Sequence, residues 1–149
     1  MDSIVVRKME LKDIDAVLIV EKNSFSIPWT RGSFEKEIKK NLLSKYYVAV
    51  ANEEVVAYGG MWLIIDEAHI TNIAVHPDYR GKKIGKALVR HMINEAIQLG
   101  ISKMTLEVRR SNIVAQNLYK ALGFISCGIR PGYYHDNGED AIIMWKDSL

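Results

Sequence analysis

The chain is poor in the residues that would commit it to a special class. It has one cysteine, Cys127, so it can close no internal disulfide and build no cysteine-based metal cluster. A reducing, cytoplasmic setting is the expectation. It has three prolines and no Gly/Ser/Pro-rich stretch, so no linker divides it. Low-complexity tracts and fixed-period repeats are also missing. The longest apolar runs, such as Met61 to Ile65, are strand-sized and far short of a membrane span. The opening residues, Met1 to Arg7, lack the basic start and long apolar run of a signal peptide. Neither sign of charge is in excess. A formal net charge of +2 argues against nucleic-acid binding by bulk electrostatics. No basic stripe with interleaved aromatics appears either. What remains is 149 residues, 48% hydrophobic and 26% charged, which fits one globular domain over 1–149 with one sizeable core.

Periodicity supplies the elements. Ser3 to Met9 reads as a strand. Asp13 to Asn23 reads as a helix, from apolar residues near helical spacing at Ile14, Val17, Leu18 and Phe25. Ser26-Ile27-Pro28-Trp29 breaks it, and Thr30 is positioned to cap a short helix to about Lys40. Tyr46 to Ala51 and Val55 to Ile65 read as strands joined by Asn52-Glu53-Glu54. His69 to Val75 is another strand, ended by His76-Pro77-Asp78. Ile84, Leu88, Met92, Ala96 and Leu99 mark the clearest helix, and Gly100 stops it. Lys103 to Arg109 alternates, with Met104, Leu106 and Val108 on one face and Thr105, Glu107 and Arg109 on the other. Asn112 to Leu122 is helical, and strands follow near Phe124 to Ile129 and Ala141 to Trp145. The order implies an α/β or α+β domain with a mixed sheet.

The loop Arg80-Gly81-Lys82-Lys83-Ile84-Gly85-Lys86 joins the His69 strand to the long helix. Helix N-termini carry free N–H groups and partial positive charge, which suits a phosphate. Gly81 and Gly85 allow close backbone approach, and Lys82, Lys83 and Lys86 add charge. The pattern is neither a Walker loop nor a full dinucleotide fingerprint, and alone it fits a solvated turn equally well. Glu107 and Tyr119 form a candidate base and acid. Both can face one cleft if the Glu107 strand and the Tyr119 helix pack side by side. Making an amide from an amine and a thioester needs an amine proton removed and a thiolate protonated. An α-amine has a pKa of about 7.7–8.0, a thiol about 8.5 and a tyrosine about 10, so both transfers are modest. A wet-face glutamate and a core tyrosine are the plain alternatives.

Other groups carry less. His69, His76, His91 and His135 show no metal-ligand spacing, and His91 reads as a helix-surface residue. Cys127 reads as a small buried strand residue. Trp29, Trp62 and Trp145 read as core or rim packing. Tyr133-Tyr134 follows Arg130-Pro131-Gly132, a turn signal, so the tyrosines either wall a peptide groove or pack on the sheet.

Taken together, the segments resemble the GNAT superfamily and, within it, the ribosomal-protein-alanine N-acetyltransferases of the RimI type. The resemblance runs through Phe25 to Trp29, Asp66 to Val75, the glycine loop, Leu106 to Asn112, Leu118 to Phe124, Gly132 to Tyr134 and Gly138 to Met144. It implies a single domain with a mixed, strongly twisted sheet of about seven strands and about four helices, splayed open where acetyl-CoA enters. It implies Glu107 as general base and Tyr119 as general acid. Ile73, Ala74 and Val75 would lie along the pantetheine arm, and a backbone N–H of this strand would polarise the thioester carbonyl. Arg80, Gly81, Lys82, Lys83, Ile84, Gly85 and Lys86 would hold the pyrophosphate, and Asn112 would touch the cofactor. Trp29, Tyr133 and Tyr134 would contact a protein substrate with a free N-terminal alanine, typically on a small-subunit ribosomal protein. No metal, nucleic acid or membrane is implied. One residue departs from the pattern: Lys83 stands where the loop usually has its first glycine. Its dihedrals are expected to be ordinary and its side chain to point outward; a positive φ would strain a lysine and put the loop's placement in question. Two other readings stay open. One is an acetyltransferase of relaxed N-terminal, lysine or small-amine specificity. The other is a non-catalytic acetyl-CoA-binding module.

Overall fold

The computed structural model describes residues 4–25 and 27–149. Ser3, in the expected first strand, and Ser26, in the expected helix break, lie outside the described residues. Seven strands form one sheet in the order β1-β2-β3-β4-β5-β7-β6. They are β1 (Ile4–Lys8), β2 (Ser44–Ala51), β3 (Glu54–Ile64), β4 (Glu67–Val75), β5 (Lys103–Arg109), β6 (Ile125–Tyr134) and β7 (Glu139–Lys146). Every neighbouring pair is antiparallel except β4 and β5. The helices are α1 (Ile14–Ser24), α2 (Arg31–Lys39), α3 (Ile84–Gln98) and α4 (Ile113–Ala121). None of the described helices is long and apolar enough to cross a membrane.

Local chemistry sets the boundaries. Thr30 caps α2 by accepting from the Ser33 amide at 3.3 Å. Asn52 and Glu53 both take positive φ, the two-residue turn whose twist matches an antiparallel hairpin. Glu54 therefore joins β3 rather than the turn. Gly100, at φ +82, ends α3. β3 stops one residue early, at Ile64, because Ile65 turns to φ +58.

The sheet is covered on both faces. Ile14, Val17 and Val20 of α1 and Phe34 of α2 pack with Val48, Tyr58 and Ala74 on one face. Leu88, Met92 and Ala96 of α3 and Tyr119 of α4 pack with Met61, Met104, Leu106 and Val108 on the other. This partition decides which way each β5 residue points. Since Leu106 and Val108 face α3, Glu107 faces the side of α1 and α2.

Two expectations about β6 are corrected. Arg130-Pro131-Gly132 is not a turn: β6 runs on to Tyr134, and the chain reverses at 135–138, where Gly138 has φ +74. The register with β7 slips between Arg130 and Tyr134, so the three intervening residues form a bulge. Pro131 is tolerated because β6 is an edge strand. Cys127 is exposed, not buried, for the same reason: residues 125–133 of β6 are exposed.

Candidate active site

The parallel pair β4–β5 is the weak seam of the sheet. It pairs only Glu67, Ala68 and His69 with Lys103, Met104 and Thr105. Beyond that, β4 carries one extra residue, Thr71, against β3, since Ile70 and Asn72 oppose consecutive Met61 and Gly60. A bulge bends its strand, and here β4 leaves β5 at that point. The backbone edge of β4 facing β5 is therefore open past His69. The resulting cleft has a volume of about 1180 Å³. Its walls include Asn72, Ile73, Glu107, Asn112, Tyr119 and Tyr134. Glu107 and Tyr119 thus meet at one cleft, reached from opposite faces of the sheet.

Glu107 is only 8% exposed at its side chain. Its Oε2 lies 2.6 Å from His69 Nε2, and its Oε1 lies 3.3 Å from Arg130 Nε. Burial alone would raise its pKa, but the His69 hydrogen bond and the positive charge of Arg130 hold it below the ordinary carboxylate value. His69 and Arg130 are partners of Glu107 that sequence reasoning missed. His69 lies 38 positions from Glu107, and only the β4–β5 register, which sets His69 beside Thr105, brings them together. Its one signal is alternation: it sits between Ala68 and Ile70, which face the opposite core.

Tyr119 is 5% exposed and stacks edge-on against Phe124, 5.8 Å between centroids. It packs in the core and also lines the cleft. Burial raises its pKa, with Tyr134 adding to the rise, which keeps the phenol protonated. Its hydroxyl has no hydrogen-bond partner among the described residues.

Asn112 lines the cleft but has a structural task as well. Its Oδ1 accepts from the Ala115 amide at 3.1 Å and caps α4. The buried Gln116 side chain donates to the Arg109 and Arg110 carbonyls at 3.0 and 2.9 Å, which fixes the β5–α4 turn.

At the end of β4 the expected phosphate loop leads into α3. Ala87 is the first α3 amide bonded to the loop, to the Lys83 carbonyl, so the amides of Ile84, Gly85 and Lys86 are free to meet an anion. Gly85 lets α3 approach α4, since a Cβ there would lie 3.2 Å from Leu118 Cδ1. Lys83 contradicts the expectation of ordinary dihedrals: it has φ 63 and ψ 19. The chain must swing left-handed to enter α3, and lysine bears the strain that glycine would avoid. The helix still begins at Ile84, so the loop keeps its place and the cost is conformational. Arg80 is committed elsewhere: its Nε donates to the Val75 carbonyl at 3.0 Å and its Nη2 lies 3.2 Å from Ser24 Oγ. It braces the loop against β4 and α1, and it takes up the Val75 carbonyl. Lys82 lies over the Tyr79 ring at 5.3 Å.

On the opposite side, Glu21 of α1 is buried and accepts from the Trp29 amide at 2.7 Å and from the Tyr58 hydroxyl. That anchor holds Ile27 and Trp29 at the cleft wall. Trp29 also packs on Phe34, at 5.3 Å. Tyr134 is half-buried under the Arg109 guanidinium, 4.1 Å away, and Tyr133 stands edge-on to it, exposed. Arg109 reaches on to Asp136 at 2.8 Å and Glu139 at 3.3 Å, so one side chain ties β5 to the β6–β7 hairpin.

Comparison with known proteins identifies this architecture. The family described as Acetyltransferase (GNAT) family matches residues 14–124. The [ribosomal protein bS18]-alanine N-acetyltransferase of Escherichia coli K12 is 36% identical over 141 residues, covering 93% of this chain and 94% of that one. A Bacillus subtilis protein, provisionally given the same activity, is 45% identical over 140 residues, covering 94% and 93%. The crystal structure of the ribosomal-protein-S18-alanine N-acetyltransferase from Escherichia coli superposes with a TM-score of 0.88 at 33% identity, over 99% of this chain and 96% of that one. The chain belongs to the GNAT acetyltransferase family and is an N-acetyltransferase.

Proposed function

We propose that the protein transfers acetyl from acetyl-CoA to the α-amine of an N-terminal alanine, on the bS18-type ribosomal protein that its relatives modify. The carrying observation is the placement of Glu107 and Tyr119 on opposite faces of the sheet at one cleft. A base on one side and an acid on the other suit an amine and a thioester that meet through the split.

The residues present fit the co-substrate. The free edge of β4 around Ile73 and Ala74 suits the amides of a pantetheine arm. The free α3 amides, with Lys82, Lys83 and Lys86 nearby, suit a pyrophosphate. Acetyl-CoA supplies an activated acyl thioester. Glu107, ionised at neutral pH, takes the proton that the attacking amine gives up, directly or through water. As the N–C bond forms and the C–S bond breaks, the Tyr119 hydroxyl gives its proton to the departing sulfur. A phenol held protonated by burial fits that task. Trp29, Tyr133 and Tyr134 wall the side where the peptide would lie.

The test is a panel of short peptides differing only in the first residue, with acetyl-CoA, read by mass spectrometry. Alanine-first peptides should be the best substrates. Glu107→Gln and Tyr119→Phe should each lower kcat about 10²–10⁴-fold with acetyl-CoA binding retained. Full activity in both variants would refute the acid–base assignment.

A further inference from the structure

Glu107 meets its partners with both oxygens at once, and one of them carries a fixed positive charge. Resting on the reading of Glu107 as the group that receives the amine, we propose that Arg130 makes the site select amines by basicity. A carboxylate already balanced by a guanidinium accepts a neutral amine and offers little to an ammonium.

The geometry carries this. Glu107 is nearly buried, and its Oε2 is taken by His69 at 2.6 Å and its Oε1 by Arg130 at 3.3 Å. His69 faces it from β4, and Arg130, Tyr133 and Tyr134 face it from β6. From β7 its register partner is the apolar Ile143. Arg130 is therefore the fixed cation that the described residues bring to this carboxylate, and the fixed charges of the pair sum to zero. Arg130 is 53% exposed, so its side chain meets solvent while its Nε stays on Glu107. The β6 bulge begins just after it, so Arg130 is the last residue paired with β7 before the bulge, opposite Ala141.

An incoming ammonium would have to displace Arg130 or shed its proton first. An α-amine, with a pKa of about 7.7–8.0, is about one-third neutral near pH 7.5. A lysine ε-amine, with a pKa of about 10.4, is neutral about one time in a thousand. A site that takes only the neutral form therefore favours the protein N-terminus over lysine by a few hundredfold, before any contact with the peptide is counted. Arg130 acts here through Glu107, as a positioning and charge-balancing residue.

The experiment compares two peptides of one sequence. One has a free α-amine and no lysine; the other is Nα-acetylated and has a single lysine. Acetyl transfer to each is followed by mass spectrometry for the wild type, Arg130→Gln, Arg130→Met and Arg130→Lys. In the Gln and Met variants the α-over-ε ratio of kcat/KM should fall at least tenfold, through a gain on the lysine peptide. The rise of kcat/KM with pH between about 6.5 and 8.5, which follows deprotonation of the α-amine, should flatten. Arg130→Lys should keep both the ratio and the slope. An unchanged ratio and slope in folded Arg130→Gln and Arg130→Met would overturn the proposal. Glu107→Gln keeps the two readings apart. If it stays active, the base assignment falls and this inference with it. If it is inactive while the Arg130 variants behave as wild type, only this inference falls.

Discussion

Lys83 shows what a single residue can be asked to bear. Its left-handed backbone costs a non-glycine residue about 1–2 kcal/mol, and the residue is exposed with no cap bond from its side chain to offset that. Lys83→Gly should raise stability by about 0.5–1 kcal/mol, the strain relieved less the extra freedom of glycine in the unfolded chain. Urea denaturation of the two proteins measures this. Lys83→Val should destabilise, because a β-branched residue fits that region worst. Glu107 presents an electrostatic case. Its pKa is depressed, so it is ionised throughout the neutral range, and protonation neutralises it only below the ordinary carboxylate value. A fall in kcat/KM between about pH 8 and 6 then reports the substrate amine and not Glu107. Removing the His69 donor takes away a bond to the charged form, so His69→Ala should move the Glu107 limb of the pH profile upward. It should also lower kcat by roughly tenfold, the usual scale for a group that orients a reacting side chain. A pH–rate profile with the lower limb unmoved would leave His69 without that role.

Among the elements, those with a strong local signal agree with sequence reasoning to within a residue or two. α3 shows five apolar residues at helical spacing and a glycine stop, and β5 shows strict alternation, with Met104, Leu106 and Val108 in the core. β6 misleads because Pro-Gly ordinarily signals a turn but is also tolerated in a bulge on an edge strand, and edge position is a tertiary fact. The β6–β7 hairpin hangs on Arg109, which binds Asp136 and Glu139 and covers the Tyr134 ring. Arg109→Met should therefore loosen the hairpin and raise KM for the peptide about tenfold, with KM for acetyl-CoA little changed, as steady-state kinetics would show. A second clamp ties β1 to the start of α1. Arg7 Nη1 and Nη2 each donate to an Asp13 carboxylate oxygen at 2.8 Å, and Asp13 is 4% exposed. Burial raises the Asp13 pKa, but the Arg7 bonds and the Glu10 amide outweigh it and leave the pKa lowered. A carboxyl depressed on folding stabilises above its unfolded pKa of about 3.9 and loses that stability as pH falls through the lower folded value. Arg7→Met should cost about 1–2 kcal/mol at pH 7, discounted because Arg7 is partly exposed, and should lessen the fall in stability below about pH 4.

For the whole molecule, the cleft was the least legible feature. Its residues come from α1 and the segment after it, β4, β5, α4, β6 and β7, and no sequence spacing encodes their meeting. Glu107 and Tyr119 were readable as types on a strand and a helix. That the strand turns Glu107 to one side of the sheet and the helix sets Tyr119 on the other follows only from which faces are buried. The opening itself depends on Thr71, one extra residue in β4 that leaves a three-residue parallel ladder holding β1–β4 to β5–β7. Such a seam is open to a ligand that supplies the missing hydrogen bonds. Acetyl-CoA at about 100 times its Kd should raise the unfolding free energy by about 2.7 kcal/mol, or Tm by roughly 5–10 °C for a chain of this length. The added hydrogen-exchange protection should fall on the open half of β4, at 70–75, and on the first turn of α3, while β1 and β2 change little. Protection spread evenly over the sheet would show that the ligand merely stabilises the fold globally, and that the seam is not where it binds.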